Sequence, residues 1–259
     1  MRNRTHSNAL MLTLGGLILL AWLALWWADT SPFGSLLHAH GGEHAHHAHH
    51  GHHADASIAA SAGLFLVGWV VMTIAMMLPT TLPLVAIVQR LTHRRSDGMA
   101  LVSLVLVGYL VVWAAFGIAA YGLLTALRAL PMSSDATSGS LASAGLFVLA
   151  GAFQFSRLKY QCLDKCRTPL SFVMSHWHGT APRHEAFRLG LAHGAFCVGC
   201  CWALMLLMFA VSVASLLWML VLAILMAIEK NVSWGRRFAA PLGVVLISVG
   251  VLSAAYQLM

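Results

Sequence analysis

Three cysteines stand inside one apolar segment, His193-Gly-Ala-Phe-Cys197-Val-Gly-Cys200-Cys201-Trp202-Ala-Leu-Met205. Offsets of three and four residues share a helical face. Cys197, Cys200 and Cys201 therefore project to one side, with His193 a turn before them and Met205 a turn after. Thiolates and thioethers are soft ligands that select Cu(I) ahead of harder ions. A single buried cysteine is well explained as a small hydrophobe. Three on one face, beside a histidine and two glycines, point instead to a metal, with Cu(I) first and zinc behind it. Gly194 and Gly199 also let a neighbouring helix bring its side chains close to the thiols.

The chain has 5 cysteines, and the other two form Cys162-Leu-Asp-Lys-Cys166. A spacing of four on a helix makes a two-thiolate ligand and is poorly placed for a disulfide. The neighbouring Lys165 and Arg167 favour thiolate. A structural zinc finger needs two clean pairs, and iron–sulfur spacings are not matched. Methionines add sulfur: Met72 and Met76 share a face in Met72-Thr-Ile-Ala-Met76-Met77-Leu-Pro79, with Met77 beside them. Methionine more often fills apolar gaps than binds metal, so this stripe counts as ligand only alongside the cysteines.

His38, His40, His44, His46, His47, His49, His50, His52 and His53 crowd a third stretch that contains no Lys or Arg. It has no apolar period and is expected to be disordered when metal-free. Imidazole suits Zn, Cu and Ni, so the stretch could gather ions, although its irregular spacing argues against one fixed site.

The elements that must position these groups are membrane helices. Of 259 residues, 59% are hydrophobic and 9% charged, against about 25% charged in soluble domains. Seven apolar runs reach the length of a membrane span, at about 8–28, 57–79, 99–127, 140–156, 190–210, 213–229 and 239–257. The expectation is an all-α, polytopic membrane bundle of about seven transmembrane helices. Its parts are an anchor helix (1–30), a His-rich extracytoplasmic loop (31–56) and a six-helix domain holding the Cys motifs (57–259). Arg2, Arg4, Arg90, Arg94, Arg95, Arg157, Lys159, Lys165, Arg167, Arg183, Arg188, Lys230, Arg236 and Arg237 all fall in stretches on one side of such a bundle. Basic loops stay cytoplasmic, which puts the N-terminus in the cytoplasm. The net charge of +7 is then charge facing anionic lipid, and no nucleic-acid partner is needed to explain it. Gln154, polar at depth, needs a partner, and Glu229-Lys230 either snorkels at the cytoplasmic boundary or has Glu229 bonded to the fifth-span region.

No phosphate-binding loop is present, and no Ser-His-Asp or paired-carboxylate arrangement stands out. Classical hydrolysis and ATP-driven pumping are therefore disfavoured, and no catalytic residue is assigned.

Four motifs occur in order: Trp69…Met72…Ala75-Met76-Met77-Leu-Pro79, then Leu158-Lys159-x-x-Cys162-Leu163-x-x-Cys166-Arg167-x-Pro169-Leu170, then Gly190-x-x-His193-Gly194-x-x-Cys197-x-Gly199-Cys200-Cys201-Trp202-x-Leu204-Met205, then Glu229-Lys230. Over about residues 60–257 the series resembles a bacterial family of predicted metal-binding integral membrane proteins, a domain of unknown function. The resemblance implies a multi-pass protein of the bacterial inner membrane that binds a metal. The reading is a membrane protein handling Cu(I), by transfer or delivery, through Cys197, Cys200, Cys201, Cys162, Cys166, His193, Met72, Met76, Met77 and Met205. Its partners would be the bilayer and a metallochaperone or membrane metalloenzyme. The alternatives are a membrane thiol–disulfide oxidoreductase and a non-catalytic assembly subunit of a metalloenzyme complex. Metal identity, direction of transfer and oligomeric state are left open by the sequence.

Overall fold

A chain this apolar solves its backbone hydrogen bonding within helices. The computed structural model describes residues 2–30, 54–128, 136–209 and 216–258. Among them nine α-helices run in order: α1 (Arg2–Thr30), α2 (Ala54–Thr92), α3 (Gly98–Arg128), α4 (Ala136–Phe153), α5 (Arg157–Arg167), α6 (Pro169–His176), α7 (Pro182–Leu206), α8 (Leu216–Asn231) and α9 (Gly235–Leu258). A short 3-10 turn, Leu207–Phe209, closes α7. The His-rich stretch, His38 to His53, lies outside the described residues.

The fold is all-helical, as expected. Five helices (α1, α2, α3, α7 and α9) are long and apolar enough to cross a membrane, and the bent pair α4–α5 makes a sixth if it counts as one span. The count of seven is therefore approximate. The run at 213–229 forms α8, whose 16 residues reach only about 24 Å at 1.5 Å each, short of a ~30 Å hydrocarbon core. The run at 140–156 ends early, because the chain bends by 65° between α4 and α5. Ser156 starts α5 as its N-cap, its hydroxyl accepting from Lys159 N at 3.1 Å. Residues 157–167, read from sequence as loop, are thus a helix folded against α7 and α8.

The prolines of α2 do not interrupt it: Pro79 and Pro83 lie inside a 39-residue helix. Proline at 79 leaves the Ala75 carbonyl without its usual donor. Trp22 of α1 supplies one, its indole Nε1 donating to Ala75 O at 3.1 Å. Thr80 and Thr81 donate to Met77 O and Leu78 O at 2.8 and 2.7 Å, so side chains occupy the weakened turn.

Helices in an apolar medium gain little from hydrophobic burial and depend on close approach at small residues. α3 packs extensively on α7, and a Cβ added at Gly108 would sit 2.5 Å from Phe187 O. One added at Gly190 would run into Val105 O. α7 itself is started by a turn at 178–181 in which Gly179 has φ 80°. The Glu185 carboxylate accepts from the backbone N–H groups of His178, Gly179, Thr180 and Ala181, which fixes where the cysteine helix begins.

Candidate metal centre

The core is a sulfur-rich cluster in which Met72, Met76, Met77, Cys162, Cys197, Cys200, Cys201 and Met205 are all buried. α7 delivers its three cysteines on one face, as their spacing predicts. Cys200 and Cys201 both donate S–H to the Cys197 carbonyl, at 3.1 and 2.8 Å. α2 brings Met77, whose Sδ lies 3.9 Å from Cys201 Sγ.

The Cys162/Cys166 pair does not stand apart in a loop. α5 turns it onto α7, where Cys166 packs against the same buried cluster. Cys162 rests against the backbone of Gly199, where an added Cβ would lie 2.6 Å from its sulfur. The two cysteine motifs form one centre, and all five cysteines are free thiols.

His193 and three of the methionines are placed differently. His193 is buried between the rings of Tyr109 and Phe172, at centroid distances of 5.7 and 5.9 Å. Met72, Met76 and Met205 belong to the buried cluster and make no sulfur contact of the kind that Met77 makes.

Other groups at the centre were misread or missed in the sequence. Lys230 does not snorkel outward. It is buried, with its ammonium 2.9 Å from Cys197 Sγ, 3.6 Å from Met77 Sδ and 3.8 Å from Cys201 Sγ. Tyr109 of α3 places its hydroxyl 3.2 Å from the same Cys197 sulfur. Lys159, counted as a loop cation, has a side chain 0% exposed and binds Glu229 at 2.7 Å. Gln154, which needed a partner, accepts from the Lys159 ammonium. Two of the cations assigned to lipid-facing loops are therefore interior. Helical spacing held a signal for both. Lys159, Cys162, Leu163 and Cys166 share one face of α5, and Met219, Leu222, Met226 and Lys230 share one face of α8.

Among the described residues no group of three or more His, Cys, Asp or Glu side chains is arranged as a ready-made metal site. Cys200 and Cys201 turn toward the Cys197 carbonyl, and Cys197 and Cys201 lie against Lys230. The donor set is nonetheless soft, buried and free of disulfides, which is what Cu(I) selects over harder ions.

Comparison with known proteins agrees with that donor set. The sequence model for the family described as "PpoB2: Copper chaperone" matches residues 66–253, a stretch containing all five cysteines and Lys230 but not the His-rich stretch. Searches of curated proteins and of solved structures return no match to this chain. With the family model covering well over half of its length, the chain belongs to the PpoB2 copper chaperone family.

Proposed function

We propose that this protein is a membrane-embedded Cu(I) chaperone that takes up the ion at its buried sulfur cluster and passes it to a protein acceptor. The observation that carries this is the meeting of thiols from α5 and α7 with the Met77 thioether of α2 in one disulfide-free buried cluster. Cys197, Cys201 and Met77 supply the central donors. Cys166 and Cys200 lie beside them as the next thiols along a path, and successive exchange between neighbouring sulfurs moves a soft ion without releasing it to water. Five helices of membrane-crossing length and apolarity support placement in a bilayer. The bacterial inner membrane is part of the same proposal. A membrane metalloenzyme or a soluble metallochaperone is the acceptor such a protein requires.

No energy-coupling element is assigned. Lys159 and Glu229 are interior but pair with each other, which makes them structural rather than a relay. Delivery down an affinity gradient suits this architecture better than pumping.

The test is elemental analysis of the detergent-purified full chain grown with copper, against a Cys197/Cys200/Cys201→Ser variant. The wild type should carry stoichiometric copper and the variant close to none. Equal copper in the two would sink the assignment of these cysteines.

A further inference from the structure

Lys230 lies where a cation bound by the sulfurs would lie. Its ammonium has Cys197 Sγ at 2.9 Å, Met77 Sδ at 3.6 Å and Cys201 Sγ at 3.8 Å. Three soft donors from two helices surround one positive group. α8 carries it there because Met219, Leu222, Met226 and Lys230 recur at helical spacing and all are buried. Lysine at a helix end ordinarily runs its stem outward to water. Here the preceding acid is engaged elsewhere: Glu229 receives Lys159 through both carboxylate oxygens. A buried ammonium requires acceptors, and sulfur is what this pocket offers.

We propose, resting on the copper reading above, that Lys230 is an internal stand-in for Cu(I). Its ammonium holds the Cys197–Cys201–Met77 pocket in the metal-free protein and leaves when the ion enters. Cu(I) bonds thiolate sulfur, so each cysteine that takes the ion, including Cys201, which donates its S–H to the Cys197 carbonyl, gives up its proton to water as the ammonium leaves. Co-occupancy is disfavoured. A metal–thiolate bond is about 2.3 Å long, so an ion bonded to these sulfurs would be pressed against the ammonium, and like charges in a dry pocket repel strongly. Lys230 therefore sets affinity. The ion must displace a charge-assisted contact, which keeps the site weaker than its donors alone would make it. The return of the ammonium to Cys197 then favours release to an acceptor.

Lys230→Leu removes the charge and adds no sulfur donor to the site. Cu(I) affinity of the detergent-purified full-length protein is measured by competition with a chromophoric Cu(I) chelator. The variant should bind about tenfold or more tightly than wild type, the loss of one charge-assisted hydrogen bond as competitor. A second measurement uses wild type alone. An amine-reactive label at Lys230, read by mass spectrometry, should increase when Ag(I), a redox-inert copy of Cu(I), is added. This decides the matter even if the variant fails to fold. Unchanged or weaker Cu(I) binding by a folded variant overturns the proposal; weaker binding would make Lys230 a counter-ion that stays beside the metal–thiolate. Labelling that is unchanged or falls with Ag(I) overturns it too. Wild-type protein that binds no Cu(I) defeats the copper reading itself and this inference with it. Binding unaffected by Lys230 defeats only the inference.

Discussion

Lys159 of α5 and Glu229 of α8 form an ion pair at 2.7 Å with side chains 0% and 3% exposed. Gln154, at the bend before α5, accepts from the same ammonium. Arg167, at the far end of α5, donates to Glu229 O at 2.6 Å and to Ser233 O at 2.9 Å. Both ends of the cysteine-bearing helix α5 are therefore tied to α8. Breaking a buried pair by removing one partner typically costs about 3–5 kcal/mol, whereas replacing both with apolar groups is often neutral. Glu229→Ala should destabilise the protein by that amount in detergent unfolding, and adding Lys159→Met should recover most of the loss. A double variant no better than the single one would mean that the pair does not act as a unit.

The two cysteines of α5 should behave differently. Cys166 packs against the buried cysteine cluster, while Cys162 faces the Gly199 backbone. Cys166→Ser should lower Cu(I) affinity by about tenfold, one soft ligand replaced by a hard oxygen. Cys162→Ser should have a smaller effect. The chelator competition that reads both variants would contradict this placement if their order were reversed.

Gly199→Ala tests the contact between α5 and α7. Its Cβ would come within 2.6 Å of Cys162 Sγ, so the Cys162 side chain must turn away or α5 must shift. Overpacking of this kind costs about 1–3 kcal/mol and should disturb the packing of the α5 cysteines on α7. Reduced stability together with reduced copper is the expected result, and a Cys162→Ala change in the same chain should relieve both.

Trp22 and Pro79 are linked through one carbonyl. Trp22→Phe leaves Ala75 O without its indole donor, at a cost of about 1–3 kcal/mol for a buried unsatisfied group. Pro79→Ala restores a backbone N–H to that position, so the double variant should be more stable than Trp22→Phe alone. Additive losses in thermal unfolding would show that the indole bond does not compensate for the proline.

A thiol oxidoreductase would use the same five cysteines differently. Trapping cells with acid and an alkylating reagent should find Cys197, Cys200 and Cys201 reduced, with alkylation slowed by copper and restored by a Cu(I) chelator. Mixed disulfides with another protein, trapped through Cys166 or Cys197, would favour the redox reading instead.

Much was legible without coordinates. Apolar length alone predicts the bundle, and offsets of three and four alone predict that Cys197, Cys200 and Cys201 share a face, because helix periodicity is a local property. The family match spans residues 66–253, which contain the same motifs. What the sequence could not decide was where helices meet. Cys162 and Cys166 read as a separate pair because the 65° bend after Phe153 has only a local serine cap to announce it. Lys159 and Lys230 read as boundary cations because a basic residue near a helix end has two physical outcomes, outward to water or inward to a partner. Only the packed structure supplies those partners: Glu229 for Lys159 and the Cys197 sulfur for Lys230. Residue type and spacing determined which chemistry the chain carries; the tertiary contacts among α2, α5, α7 and α8 decided that it is gathered around one buried ammonium.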